Sequence, residues 1–145
     1  MMKAYYGSKL VTATPMTRLA YNELRGWDLP TNENGEDDGY LVEDNGGACT
    51  PNHPNYGGYI SWTPKVQFDS SYREIERMTF GLAIEALKRG ASVSRKGWNG
   101  KGMYVTLVPE SEQLNSYLAI KNVNGSTSTW VPSINDTLSE DWAIL

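Results

Sequence analysis

The densest chemistry in the chain lies in the run Arg95-Lys96-Gly97-Trp98-Asn99-Gly100-Lys101-Gly102-Met103. Three glycines within six positions let the backbone approach a ligand closely and turn several N–H groups toward it. Trp98 offers a flat face on which a base can stack, an interaction worth about 1–3 kcal/mol. Asn99 can read a base or ribose edge, and Lys101 or Arg95 can neutralise a phosphate. The spacing is not that of a P-loop, which needs a Lys-Ser/Thr pair after its second conserved-type glycine. On residue types alone, a tight turn carrying a core tryptophan is the simpler reading of the same run.

A second polar cluster, Ser133, Asn135, Asp136 and Thr137, sits between Trp130 and Trp142. Two indoles could flank a pocket mouth, with Asp136 accepting hydrogen bonds from ribose hydroxyls or base amino groups. The same residues could equally be a capped helical turn, with Asn135 or Asp136 as N-cap. Both readings stay open at this level.

Other constellations carry less. Cys49 and His53 are the only cysteine and histidine, too few for a metal site, and they lack the orienting third group of a nucleophilic pair. No Gly-x-Ser-x-Gly elbow is present. Glu33, Glu36, Asp37 and Asp38 read as a solvated acidic loop. The expectation is therefore a binding protein without catalytic residues, metal or cofactor.

Composition bounds the scaffold for these groups. The 145 residues are 39% hydrophobic and 21% charged, enough for one core or two small ones. Uncharged apolar stretches fall short of the roughly 20 residues that span a bilayer. Nothing resembling a signal peptide follows Met1-Met2-Lys3, and a lone cysteine fits a reducing cytoplasm. The formal net charge is −4, with no basic stripe, which argues against polymeric nucleic acid as partner. A small anion held by one or two donors is compatible with an acidic protein. Five Trp and nine Tyr against two Phe favour amphipathic binding surfaces, although several must simply plug a small core.

The elements that would position these residues can be read from periodicity. A division near residues 73–78 is expected, giving domains 1–77 and 78–145. In the first, residues 9–13 read as a strand, and Thr14 and Pro15 start a helix with Met16, Leu19, Ala20 and Leu24 as its stripe and Gly26 as its stop. Residues 40–42 and 58–62 are strand candidates, and residues 64–73 a second short helix. In the second, Thr79 caps a helix whose Phe80, Ala83, Ile84 and Leu87 follow the i, i+3, i+4, i+7 rule. Strands are expected at 92–95, 103–108, 117–123 and 126–131, the last two joined through Asn124-Gly125, a hairpin signal in which both turn positions need φ > 0. Residues 141–145 end the chain as a further strand. The fold class is α+β, one N-terminal helix on an antiparallel sheet in the C-terminal domain, preceded by a small α+β domain.

The motifs Phe80-Gly81-x-Ala83 with Leu87, Arg95 through Met103, and Trp130-x-x-Ser133-x-x-Asp136-x-Leu138-x-Glu140-Asp141-Trp142 together resemble the Thoeris anti-defence family of phages, second type. The resemblance covers about half the chain. It implies a compact protomer in a homo-oligomer, a tetramer of two dimers, acting in the infected host's cytoplasm. It also implies a sponge that holds glycocyclic ADP-ribose without cleaving it; some relatives also take cyclic di- or trinucleotides at a separate site. Carried over by position, Trp98 and Asn99 would meet the base or ribose and Asp136 would lie beside the pocket. Together with Arg95, Lys101, Trp130 and Ser133 they form the candidate ligand site. One departure is the short connection at residues 109–116, where many relatives have a longer one. Residues 1–77, through Tyr6-Gly7, Arg25-Gly26-Trp27 and Gly58-Tyr59-Ile60-Ser61-Trp62, resemble a small tailed-phage family of unknown role. The rival reading is a protein–protein adaptor that presents its Trp and Tyr surface to a host factor.

Overall fold

The computed structural model describes residues 1–145, which divide into two compact units, Met1–Tyr72 and Arg73–Leu145. The chain is mixed α+β, with two antiparallel sheets and four helices. No helix is long and apolar enough to cross a membrane.

The N-terminal unit contains β1 (Thr12–Pro15), α1 (Arg18–Arg25), β2 (Gly39–Asp44), β3 (Tyr59–Pro64) and α2 (Lys65–Ser71). Its sheet runs β1-β2-β3, with Leu41 opposite Trp62 and Val42 opposite Ser61. Two sequence expectations shift here. The first strand lies at Thr12–Pro15 rather than 9–13, and Pro15 ends it instead of opening the helix. An edge strand tolerates proline because one side needs no ladder donor. The helix is then capped by Thr17, whose hydroxyl accepts from the N–H of Ala20, while Gly26 stops it with φ of 71°. Tyr21, Leu41 and Ile60 form the core, with Met16, Leu24, Tyr56 and Trp62 packed around it. Phe68 of α2 is stacked between Tyr40 and Tyr72, at 4.3 and 4.7 Å.

The C-terminal unit contains α3 (Phe80–Lys88), β4 (Val93–Arg95), β5 (Tyr104–Val108), β6 (Tyr117–Lys121), β7 (Thr127–Thr129), α4 (Ile134–Leu138) and β8 (Trp142–Ile144). The expected cap is present: the Thr79 hydroxyl accepts from the N–H of Leu82. Strand order is β7-β6-β5-β4-β8. The β6–β7 hairpin forms as expected, but its turn is shifted. The Gly125 N–H donates to the Asn122 carbonyl at 2.9 Å, so Val123 and Asn124 are the central residues. Only Gly125, at φ of 85°, takes the positive φ expected of both Asn124 and Gly125. The final strand pairs with β4, setting Arg95 opposite Trp142. Met78 then bridges Trp142 from its other side through reciprocal backbone hydrogen bonds of 2.8 and 3.2 Å. Ala83, Leu87, Val93, Val105 and Trp142 are the buried centre. Each fully buried aliphatic side chain contributes about 1.5–3 kcal/mol, and Trp142 is the largest group among those shielded completely.

In the N-terminal unit, Gly39 lies under the Trp62 ring. A Cβ there would meet Trp62 Cζ2 and the Thr63 carbonyl oxygen at 2.4 Å, and the backbone oxygen has little room to give. Gly39→Ala is expected to destabilise the unit by about 1–3 kcal/mol, the range for overpacking. Gly7→Ala, where nothing lies within 4 Å, is the matched control and should leave the urea midpoint unchanged. Equal midpoints for the two variants would refute the packing argument.

Candidate functional site

The short strand β4 delivers Arg95 to a corner where the last helix and strand meet. Its Nε donates to Asp141 Oδ1 at 2.9 Å and its Nη1 to Asp136 Oδ1, also at 2.9 Å. A weaker contact from Nη2 to Asp141 Oδ2 spans 3.5 Å. Asp141 Oδ2 also accepts from the N–H of Gly97 at 2.8 Å, so strand β4, the glycine-rich bend and the start of β8 are tied at one carboxylate.

Asp136 ties the same corner to α4. Ser133, not Asn135 or Asp136, is the N-cap: its hydroxyl accepts from the N–H of Asp136 at 3.1 Å, and Asp136 Oδ2 accepts from the N–H of Ser133 at 2.9 Å. This is a reciprocal capping box with aspartate in the third position. The expected cap fell two or three residues late because Asp136 caps by reaching backward from inside the helix. The other oxygen of the same carboxylate accepts from Arg95 and from the Trp98 indole N–H at 3.1 Å. The Asp136 carbonyl accepts from the buried Trp142 indole N–H at 2.8 Å.

Below this polar layer lies an aromatic one. Trp98 meets Trp142 at 5.4 Å and Trp130 at 6.1 Å, both edge to face, and Trp130 meets Trp142 at 5.9 Å. Such pairs add about 0.5–1.5 kcal/mol each beyond area burial. Phe80 of α3 closes the cluster at 5.4 Å from Trp142. Trp98 is thus a half-buried core residue whose polar edge is spoken for, while Asn99 and Lys101 project from the bend and are exposed. The glycines of the bend have distinct causes. Gly97 sits so close to Asp141 that a Cβ would fall 2.8 Å from the carboxylate oxygen, and Gly102 has φ of 82°.

Electrostatics follow from these contacts. Burial alone would push the Asp136 carboxyl up, but the Ser133 N–H, the Trp98 indole, the Arg95 guanidinium and the Ser133 hydroxyl together outweigh it and hold it at about 2. The Arg95 guanidinium is the main cause that holds Asp141 below the usual carboxylate range. One guanidinium against two carboxylates leaves the cluster with a net negative charge.

Of the seven sequence candidates, Arg95, Trp98, Ser133 and Asp136 converge in one hydrogen-bonded network, and Trp130 packs beneath it. Asn99 and Lys101 stand on the adjoining bend. Sequence reasoning missed the role of Asp141, which lies 46 positions from its partner Arg95, a separation that no local spacing rule encodes. Cys49 is exposed. His53 is built into the N-terminal unit: Nδ1 accepts from the Asn55 N–H at 3.2 Å, which leaves Nε2 to donate to the Leu24 carbonyl at 3.3 Å.

A family model described as a Thoeris anti-defense 2-like domain matches residues 78–145. Thoeris anti-defense 2 of Bacillus phage SP01 is 36% identical over 85 residues, covering 48% of this chain and 96% of the relative. The chain belongs to the Thoeris anti-defense 2-like family. Its family domain begins at Met78, the residue that bridges Trp142, and ends with the β8 strand that holds the aspartate–arginine corner.

The depressed carboxyls of this Thoeris anti-defense 2-like domain set its acid response. A carboxylate held below its unfolded value contributes stability that is complete above pH 3.8 and is lost as pH falls through about 2. For Asp136, whose side chain is 12% exposed, that contribution is about 2 kcal/mol. Thermal melts between pH 6 and pH 2 should show a steep loss in the wild type. The Asp136→Asn variant should start lower and lose less over the same interval. Parallel curves would show that the carboxylate does not carry the acid sensitivity.

Proposed function

We propose that this chain is a phage counter-defence protein that binds a cyclic nucleotide immune signal and sequesters it uncleaved. The signal is glycocyclic ADP-ribose, with cyclic oligonucleotides as further ligands, and the protein acts in the cytoplasm of the infected host. The observation that carries the reading is the glycine-rich bend of the family domain, which is tied to Asp136 and Asp141 at its base and exposes Asn99 and Lys101 beside Trp98.

The geometry supports a division of labour among these residues. Arg95 and Asp136 satisfy one another and cap α4, so they position the bend; their joint charge with Asp141 is negative and does not attract phosphate. The ligand is met by Lys101, by Asn99, by the open part of Trp98 and by backbone N–H groups of the bend, with Trp130 and Ser133 as the adjoining wall. A lysine and amide pair against a phosphate needs no general base and performs no hydrolysis. The wall is completed by a second copy of the chain in a homo-oligomer, a tetramer of two dimers, since an interface between subunits can enclose a dinucleotide-sized ligand.

A second reading, a protein adaptor for a host factor, is favoured by one observation. Val131, Ile134 and Leu138, on and beside α4, are 85%, 77% and 77% exposed, an apolar group suited to a protein partner.

Calorimetric titration with glycocyclic ADP-ribose should give saturable binding, and heat denaturation should then release the ligand intact by chromatography. Lys101→Ala should weaken binding roughly tenfold or more, as loss of a charge-assisted hydrogen bond does, with an unchanged melting temperature because Lys101 is exposed. Released products would make the protein an enzyme, and absence of binding would favour the adaptor.

A further inference from the structure

A cavity of about 360 Å³ opens in the N-terminal unit, on the face where α1 packs against the sheet, lined among others by Arg18, Tyr21, Arg25, Trp27, Glu33 and Trp62. Two guanidinium groups in it lie over indole rings: Arg18 over Trp62 and Arg25 over Trp27, each with its Cζ 4.5 Å from the ring centroid. The two pairs are built differently. Arg18 is charge-balanced, with Asp37 at 3.3 Å and Glu33 at 3.5 Å. Trp62 is fixed, its indole N–H donating to the Met16 carbonyl at 2.8 Å. That pair is scaffold.

The other pair is less fully satisfied. Arg25 interacts with the Tyr21 phenol, but no ion pair balances it and its Nη1 is buried without a hydrogen bond, a condition that protein interiors rarely leave in place. Trp27 is 53% exposed, which leaves indole surface for a planar group. Beside this pair stands Tyr21, which touches Trp27 edge to face at 6.1 Å. Burial pushes its phenol up, against the opposing pull of Arg25, so it stays protonated at neutral pH and can donate.

We infer that this cleft is a second ligand site, specific for a mononucleotide-sized phosphate monoester whose phosphate pairs with Arg25 and whose base lies on Trp27. Arg25 lines the cleft, so a phosphate there would pair with its guanidinium once the side chain turns the buried Nη1 outward. A planar guanidinium suits that anion because it can offer two parallel N–H donors. The cavity lies at the lower end of the range for small-molecule sites, which fits one nucleotide rather than two. Glu33 on the wall disfavours a polyphosphate tail. The site lies wholly in residues 1–72 and is independent of the corner around Asp136.

The test is calorimetric titration of the full chain with AMP, with adenosine, inorganic phosphate and ATP as separate arms. AMP should bind with one site per chain, and each of the other three more weakly. Arg25→Met should weaken AMP at least about tenfold, and Trp27→Ala should weaken it to a similar degree. Circular dichroism identifies a variant that fails to fold, in which case the other variant decides. No saturable heat with AMP at about 1 mM, a concentration matching the weakest ordinary ligand affinities, overturns the assignment. AMP binding that persists unchanged in the folded variants places the nucleotide elsewhere and overturns it equally.

Discussion

The C-terminal domain is organised around one buried carboxylate. Asp136 accepts from a backbone N–H, an indole N–H and a guanidinium, and its own backbone carbonyl takes a second indole N–H. Through these bonds it joins α4, β4, the glycine-rich bend and β8. A five-residue helix has almost no stability of its own, since nucleation fixes several dihedrals for one hydrogen bond. The capping box and the tie to Arg95 are what hold α4 in register. Arg95 in turn sits in a three-residue strand that is paired on both sides, by β5 and β8. Short elements are here made specific by polar cross-links rather than by length.

A buried ion pair is usually a poor source of net stability, because desolvation offsets much of the attraction. Its value in this domain is positional. Three tryptophans packed edge to face supply the burial, but indoles can pack in several arrangements with similar energy. The directional demands of the Trp98 and Trp142 N–H groups remove that freedom. Each must point at an Asp136 oxygen, one on the side chain and one on the backbone. Apolar area and hydrogen-bond direction therefore act on the same rings, and the bend that carries Asn99 and Lys101 inherits its position from Trp98.

Much of this was legible in the sequence where the signal is local. The α3 stripe with its Thr79 cap, the β6–β7 hairpin and the final strand follow from local spacing, although the hairpin turn sits one residue earlier than Asn124-Gly125 suggests. The α+β class follows from them. Less legible were features decided by distant partners. Thr14-Pro15 carries a strong helix-start signal, yet pairing of Pro15 with Tyr40 draws it into the edge strand and passes the cap to Thr17. The candidate cap at Asn135 or Asp136 moved to Ser133 because Asp136 is needed at the third position, facing Arg95 across 41 residues. Of the two readings of residues 130–142, ligand pocket and capped turn, the geometry supplies the turn, capped by Ser133 with Asp136 at its third position. Asp141 is visible in the sequence only as a member of the C-terminal motif, and its tie to Arg95, 46 positions away, has no local mark.

The charge arrangement bears on the anion binding proposed for this acidic protein. Were Arg95 unpaired, it would be the obvious phosphate ligand; held between Asp136 and Asp141, it is spent on structure. What the corner provides is a fixed base for the bend. Gly97 is pinned to Asp141 and Trp98 to Asp136, while Asn99 and Lys101 beyond them are exposed. Ties at the base of a loop lower the entropic cost of ordering it around a ligand. Net charge then matters less than the distance between an anion and the nearest fixed donors, because attraction at contact in a partly desolvated site exceeds the screened repulsion of remote carboxylates. The acidic composition that argues against a nucleic-acid polymer is for this reason compatible with a small phosphorylated guest.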